Sequence, residues 1–378
     1  MKKDKKKVLV MYARYGSGHK AIGEYVANYL KDNNKFEVEV LDITEYGNLI
    51  GKWSIKLFDW IGTKRKEFLF NFFYELMDHK VASIGYNKLN KISYDNDNLK
   101  KKICDFNPDV VISSHFYCSN IIWRYNKLKL INSKILTIIT DYWPHEWWTK
   151  NHKNETGFIV GNEMVKQELI KRGVDAKKVY PFGLPLNITK INNLDSEEEI
   201  LKRYGLKGNR DIYLFFGGAT AGSMYYYDYF KALAKMNLNV DVIYICGNND
   251  KLKRKCEKYV QEKNIKNIKV YGFSKDILNI MKISDLVISK PGGATVTECL
   301  EMKVPMLLVP GLGGQEKYNA RFMAKKRFGV KVRGIWAFKR CLKKFQNNPN
   351  VIRKMHERML NLDENKSVVK INDLINKL

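Results

Sequence analysis

The chain has 378 residues, 45% of them apolar, which is enough for two domains with buried cores and too apolar for a disordered polypeptide. Its formal net charge is +27, a field that favours an anionic partner such as nucleic acid, an acidic membrane surface or a phosphorylated substrate. No stretch approaches the ~20 apolar residues of a spanning helix, and the basic start MKKDKKKVLVMYARYG has too short an apolar run for a signal peptide, so any membrane contact is expected to be peripheral. Six cysteines, none in a C-x-x-C pair, point to reduced, structural thiols in the cytosol and no zinc knuckle.

KVLVMY (7–12) predicts a strand, YGSGH a glycine turn and GHKAIGEYVANYL a helix. Gly16, Gly18 and Ala21 fit the pattern G-x-G-x-x-G/A. Asp42, at the end of FEVEVLDI (36–43), stands near where a ribose-binding acid would sit. Taken alone, this opening reads as a nicotinamide-binding unit. Strands are also expected at 109–115, 134–140 and 157–160, then at 211–217, 241–247, 268–273, 285–290 and 305–310. Short β-rich runs joined by helices imply an α/β fold: two Rossmann-like domains whose parallel sheets face a central cleft. The expected limits are 1–188 for the first domain and 189–350 for the second. Residues 351–378 read as Lys-rich helices that pack back toward the first domain.

Residues 46–80, YGNLIGKWSIKLFDWIGTKRKEFLFNFFYELMDHK, hold nine aromatics. Trp53, Leu57, Trp60 and Ile61 share one helical face, and Leu69, Phe72, Phe73 and Leu76 another. Lys52, Lys56, Lys64, Arg65 and Lys66 lie between. Such interleaving suits an interfacial helix on anionic lipid, although two core-facing helices would show the same periodicity.

The most informative stretch is SDLVISKPGGATVTECLEMKVPMLLVPGLGGQEKYNA (284–320). A strand ends at Ser289, Pro291-Gly292-Gly293 turns, and a helix is expected from Ala294 or Thr295. Glycines let backbone N–H groups approach an anion, and a helix N-terminus adds unpaired donors and a favourable dipole, so a diphosphate fits there. Glu298, expected in the first turn, suits either two ribose hydroxyls or the helix dipole alone. Gln315, Glu316 and Asn319 follow GLGG and suit the hydroxyls of a hexose. FFGGATAGS (215–223) and YGFSKDI (271–277) leave strands at the same edge, where open α/β sheets bind ligands. Phe273 is placed either to border a base or to pack in the core.

The run SKPGGATVTE…VP…PG…GGQEKYNA resembles the donor half of the monogalactosyldiacylglycerol synthase and processive diacylglycerol glucosyltransferase family. It is similar, more distantly, to the lipid-linked N-acetylglucosaminyltransferase of peptidoglycan synthesis. The first half agrees: YGSGHKA carries the family's G-x-G-H turn, with Gly16, Gly18 and His19. TDYWPHEWW carries its T-D-[aromatic]-x-x-H-x-x-W signature, with Thr140, Asp141, His145 and Trp148. The resemblance spans most of residues 7–330; Pro291 and Ala294 vary from the family's usual pattern. It implies an inverting GT-B enzyme that uses a UDP-sugar. It also implies that Gly292, Gly293, Ala294 and Thr295 hold the diphosphate, Glu298 the ribose, and Gln315 and Glu316 the sugar. Phe273 would then border uracil, and Gly218 would stand in the phosphate-side loop.

The implied reaction moves a hexose from UDP-glucose or UDP-galactose to diacylglycerol at the cytoplasmic face of the membrane. An acceptor hydroxyl needs a base, and His19 at a helix N-terminus, where the dipole lowers its pKa, is suited to that role. Acceptor positioning and headgroup binding are its other readings. Asp141 is suited to orient a histidine or to act as the base. His115 and His145, also past strand ends, fit structural roles. Gly18, His145, Trp148, Trp53, Trp60, Lys64 and Arg65 make up the acceptor and membrane side. No metal-ligand spacing occurs, and neither a metal nor another cofactor is expected.

The nicotinamide reading leaves 284–320 unexplained, and with it Asp42 loses its ribose role. A nucleic-acid-binding protein would use the charge, but no RRM, KH or zinc pattern appears and no nucleic acid is expected. A transferase acting on a lipid-linked peptidoglycan precursor and a UDP-sugar epimerase are the alternatives on the same fold.

Overall fold

The structure, a computed structural model, describes residues 5–15, 17–64, 93–149, 152–217, 224–311 and 313–378. The first sheet has the order β2-β1-β3-β4-β5-β6, formed by β1 (Lys6–Tyr12), β2 (Phe36–Asp42), β3 (Val110–Ser113), β4 (Lys134–Ile138), β5 (Gly157–Ile159) and β6 (Val179–Tyr180). The second has the order β12-β11-β10-β7-β8-β9, formed by β7 (Asp211–Phe216), β8 (Val240–Ile245), β9 (Ile268–Tyr271), β10 (Leu286–Ser289), β11 (Met306–Leu308) and β12 (Gly329–Lys331). Every neighbouring pair is parallel.

Among the described residues, and two single-turn helices aside, the helices are α1 (Ser17–Asp32), α2 (Leu49–Lys64), α3 (Asp97–Phe106), α4 (Phe116–Lys127), α5 (Glu163–Lys171), α6 (Glu197–Arg203) and α7 (Met224–Ala234). They continue with α8 (Asp250–Glu262), α9 (Ile277–Lys282), α10 (Gly293–Glu301), α11 (Gln315–Lys325), α12 (Gly334–Asn347), α13 (Asn350–Leu360) and α14 (Ser367–Lys377).

The strand sequences explain the layering. VVIS of β3 and LVIS of β10 are buried at every position, because helices cover both faces of a parallel sheet. α1 buries Ile22, Val26, Ala27 and Leu30, one stripe at helical spacing. Asn96, Asn162, Ser196 and Asn249 accept backbone N–H bonds at the starts of α3, α5, α6 and α8. The ten expected strands are all present. β6 and β12 were not foreseen, because two or three residues beside lysines carry no readable period.

Two compact units result. Among the described residues the first holds 5–60, 93–189 and 365–378, and the second 61–64 and 190–364. Residues 351–378 are divided between the two, with 351–364 in the second unit and 365–378 in the first. Ile352 and Met355 of α13 join the core of the second unit with Phe338 and Phe345. α14 belongs to the first, where Lys6 Nζ donates to the Ile375 carbonyl at 2.9 Å and Asn365 Nδ2 donates to the Leu184 carbonyl at 2.7 Å. Among the described residues no helix is long and apolar enough to cross a membrane.

The core of the first unit encloses a carboxyl group beside β4. Glu155 is buried and accepts a hydrogen bond from Thr137 Oγ1 at 2.8 Å. Burial raises its pKa from 4.5 to about 8, against the smaller opposing effects of Thr137, Ser119 and Lys178. The native chain thus keeps a proton that the unfolded chain releases, so this group's contribution to stability is full below pH 4.5 and is lost as pH rises through about 8. Glu155→Gln should raise stability at pH 8 by about 1–3 kcal/mol and flatten the pH dependence of the urea midpoint.

Candidate active site

Each sheet reverses its strand order once, between β1 and β3 in the first and between β7 and β10 in the second. Ligand sites in open parallel sheets form at such switch points, beyond the carboxyl ends of the strands. In the first unit the first turn of α1, which follows β1, carries His19, and the loops after β3 and β4 carry Ser114, His115 and Thr140.

His19 is half-buried, and its place is set twice by Ser114. Its ring Nδ1 lies 2.7 Å from the Ser114 carbonyl, which can only accept, so Nδ1 bears the proton. Ser114 Oγ in return donates to the His19 carbonyl at 2.8 Å. The Thr140 hydroxyl stands 3.2 Å from the same Nδ1. Nε2 is therefore the unprotonated nitrogen, and among the described residues it has no hydrogen-bond partner. Burial lowers the His19 pKa to about 4, opposed by the Ser114 bond. The imidazole is neutral as expected, but desolvation, not the helix dipole, is the main cause.

The neighbouring aromatics form the floor. His115 is buried, and its ring meets His19 edge-on at 4.7 Å between centroids. Its Nδ1 accepts the Tyr117 N–H, which caps α4, and burial holds its pKa well below the ordinary value. His145 is buried and accepts the Trp147 N–H at Nδ1. Trp148 is only 6% exposed and lies 6.3 Å from the His19 ring, so it is part of the core under the site and not a membrane-facing side chain. Asp141 is half-buried and directly follows Thr140. Asp42 is engaged locally: it caps the turn after β2 through Thr44 and pairs with Arg14.

α2 lies against this site. Gly51 lets it approach closely: a Cβ there would stand 2.9 Å from the Ser93 carbonyl. Tyr15 binds Ser54 of α2 at 2.7 Å and Tyr94 at 2.5 Å through its hydroxyl, and its ring stacks on His115. The outer side of α2 exposes Leu49, Ile50, Trp53 and Trp60 beside Lys52 and Lys56. Lys64 ends the helix. Arg65 and the rest of the segment to residue 80 lie outside the described residues, as do Gly16 and Gly218.

In the second unit, two helices begin on glycine at adjacent strand ends. α10 has Gly292 as its cap and α11 has Gly314, neither with a side-chain cap bond. The backbone donors of Gly293, Ala294 and Thr295 open α10. A Cβ at Gly292, or at Gly18 in the first unit, would meet nothing within 4 Å, so protein packing does not account for either glycine. Gly311 differs: a Cβ there would overlap Glu316 Oε2 at 1.9 Å.

Glu316 is buried against that glycine and pairs with Lys290. Asn319 is fully buried and donates to the Pro291 carbonyl at 3.0 Å, so it pins the turn from below and is not presented to a sugar. Gln315 is half-buried at the start of α11. Glu298 lies in the second turn of α10 and is not a first-turn acid, because the helix starts at Gly293, one or two residues earlier than expected. Burial raises its pKa to about 7, opposed by Lys190. Phe273 is 63% exposed on the loop after β9, so core packing is not its role.

Ser114 and Lys290 were passed over in the sequence. The only available signal was their position at strand ends on the binding edge. Among the described residues no group of three or more His, Cys, Asp or Glu is placed to hold a metal.

This fold, with a glycine-capped helix start in one unit and a neutral histidine in the other, is of the GT-B class. Two family models match in tandem: monogalactosyldiacylglycerol synthase over residues 19–186, and the glycosyltransferase family 28 C-terminal domain over residues 213–371. The chain belongs to this glycosyltransferase family and is a UDP-sugar-dependent hexosyltransferase.

Among curated relatives, the processive diacylglycerol beta-glucosyltransferase of Bacillus pumilus is 26% identical over 84% of this chain and 80% of its own length. Its counterpart in Bacillus cytotoxicus is 27% identical over 86% of this chain and 82% of its own length. Of solved structures, Acinetobacter baumannii MurG has a TM-score of 0.65 at 12% identity, covering 99% of this chain and 100% of its own. Staphylococcus aureus MnaA, solved with UDP, has a TM-score of 0.64 at 13% identity, covering 98% of this chain and 96% of its own.

The protonation state of His19 is directly measurable. Long-range proton–nitrogen NMR should show an unprotonated Nε2 and a protonated Nδ1 at neutral pH, with titration only near pH 4. A midpoint near 6.5, the ordinary histidine value, would contradict the burial that the fold imposes.

Proposed function

We propose that the protein transfers glucose, or with lower efficiency galactose, from the UDP-sugar to diacylglycerol, with inversion at the anomeric carbon. The observation that carries the chemistry is the His19 tautomer. With Nδ1–H held by the Ser114 carbonyl, Nε2 is the acceptor for the proton of the lipid hydroxyl. That oxygen forms its bond to the anomeric carbon as the bond to the β-phosphate oxygen breaks, and UDP leaves with the electron pair. One displacement turns an α-linked donor into a β-linked glycolipid, in keeping with the names of the Bacillus relatives.

The second unit holds the donor. Its diphosphate sits over the backbone of Gly292, Gly293, Ala294 and Thr295, where the α10 dipole offsets the charge of departing UDP. Glu298 takes the ribose hydroxyls, Phe273 flanks uracil, and Gln315 with the Lys290-braced Glu316 faces the sugar. Gly218 keeps the phosphate-side place that the family resemblance implies. Asp141, beside Thr140, belongs to the acceptor side.

The outer face of α2, with Trp53 and Trp60 beside Lys52 and Lys56, rests on an anionic membrane surface at the cytoplasmic side. The acceptor is a lipid, and nucleic acid is not a partner.

Incubation with labelled UDP-glucose or UDP-galactose and diacylglycerol in anionic vesicles should yield a labelled β-glycolipid, with glucose preferred. No labelled lipid with either sugar would sink this reading. His19→Ala should lower turnover roughly 10²–10⁴-fold and leave UDP affinity nearly unchanged. The ionised Glu298 carboxylate is the better acceptor for ribose hydroxyls, so UDP-glucose affinity should rise as pH passes through about 7 and then level. Titration calorimetry across that range should show the rise in the wild type and its absence in Glu298→Gln.

A further inference from the structure

Residues 317–356 contain thirteen lysines and arginines and no aspartate or glutamate, against a net charge of +27 for the whole chain. The stretch folds as most of α11, β12, α12 and the first half of α13. Its apolar side is consumed inside the unit, where Phe322, Met323, Phe328, Val332, Phe338, Leu342 and Phe345 are buried. The cations are left on the outside. At the end of β12, Lys331 and Arg333 are exposed, as is Arg321 of α11. Desolvation holds the Lys331 ammonium below its ordinary pKa, and the neighbouring charges of Arg333, Arg321 and Lys317 add to the effect.

The chain turns at Gly334, with φ +82°, and α12 begins with two exposed apolar side chains. Ile335 is 38% exposed and Trp336 72%. Arg340, one helical turn on, places its guanidinium 5.0 Å from the centre of the Trp336 ring. A large indole and a branched aliphatic tip among cations match an interfacial lipid site, where the ring sits at headgroup depth and the charges meet anionic lipid. A nucleic acid would use the charges but gives no reason for the exposed isoleucine.

The position adds a purpose. β10, β11 and β12 are parallel neighbours, so Lys331 and Arg333 leave the sheet at the same edge as the Pro291–Gly293 and Gly311–Gly314 turns.

We propose that Ile335 and Trp336, with Arg321, Lys331, Arg333 and Arg340, form a second membrane-contact surface, carried by the donor-binding unit and selective for anionic lipid. It holds the donor edge of that unit at the bilayer while α2 serves the other unit. The proposal rests on the reading of the acceptor as a lipid, but its test reads binding without turnover.

The full chain would be sedimented with vesicles of phosphatidylcholine alone and with vesicles containing about 30 mol % phosphatidylglycerol, the headgroup charge being the variable. The wild type should bind the anionic vesicles strongly and the neutral ones weakly. The triple variant Arg321→Ala, Lys331→Ala, Arg333→Ala should lose roughly tenfold or more in partition. Trp336→Glu should do likewise, and the milder Trp336→Phe should retain binding but lose part of the fluorescence quenching by brominated lipid. All should keep wild-type turnover and UDP-glucose KM on diacylglycerol dispersed in neutral detergent, which shows that they fold. Unchanged vesicle binding in both the triple variant and Trp336→Glu would overturn the proposal. So would wild-type protein that binds RNA at physiological salt and ignores anionic vesicles. Failure to form any glycolipid would instead count against the proposed reaction, whatever the vesicles show.

Discussion

When every strand of a sheet runs the same way, every strand leaves at the same edge, and the chain must cross back over a face before it can pair again. Both sheets of this protein obey that constraint at all ten pairings. It gathers the turns after β1, β3 and β4 in one unit, and those after β10 and β11 in the other, although each set is scattered along the chain. The single reversal of strand order then opens space between β1 and β3 and between β7 and β10. His19 faces Ser114 across 95 positions of sequence for this reason alone.

Within that frame the chemistry is governed by which groups are dried and which are braced. Burial keeps His19 uncharged, and the Ser114 carbonyl decides which nitrogen bears the proton. His115 beside it is held neutral as well, chiefly by burial, with the His19 ring adding to the effect. In the second unit the buried Glu316 is matched by Lys290 and given room by Gly311, while Asn319 ties α11 to the turn before α10. The donor turn is thus supported from beneath by Asn319, a side chain that a motif reading assigns to the ligand. A buried polar group must find a partner, and here the nearest partners belong to the protein.

The basic charge also acquires a location. Spread evenly, an excess of +27 would only keep the chain soluble. One acid-free stretch of forty residues concentrates it around an exposed tryptophan on the second unit, and α2 offers a smaller version on the first. Both surfaces are built on helices whose inner faces are locked, α2 through Gly51, Ser54 and Tyr15, and α12 through Phe338, Leu342 and Phe345.

Local sequence determined the strands of the two sheets, the glycine turns that end in His19 and Gly293, and the family, because these depend on short apolar runs and on residue types at fixed spacing. It could not determine the roles of side chains whose partners are distant in the chain. Asn319 read as a sugar ligand until Pro291 was brought beside it. Trp148 read as a membrane residue until the floor beneath His19 enclosed it. The helix dipole was the only visible cause for a neutral His19, since burial is a property of the packed unit and not of any window of residues. Exposure, desolvation and long-range hydrogen bonds arise only when the sheets close on their helices, and in this protein they decide which of the motif residues face a ligand and which hold the turn in place.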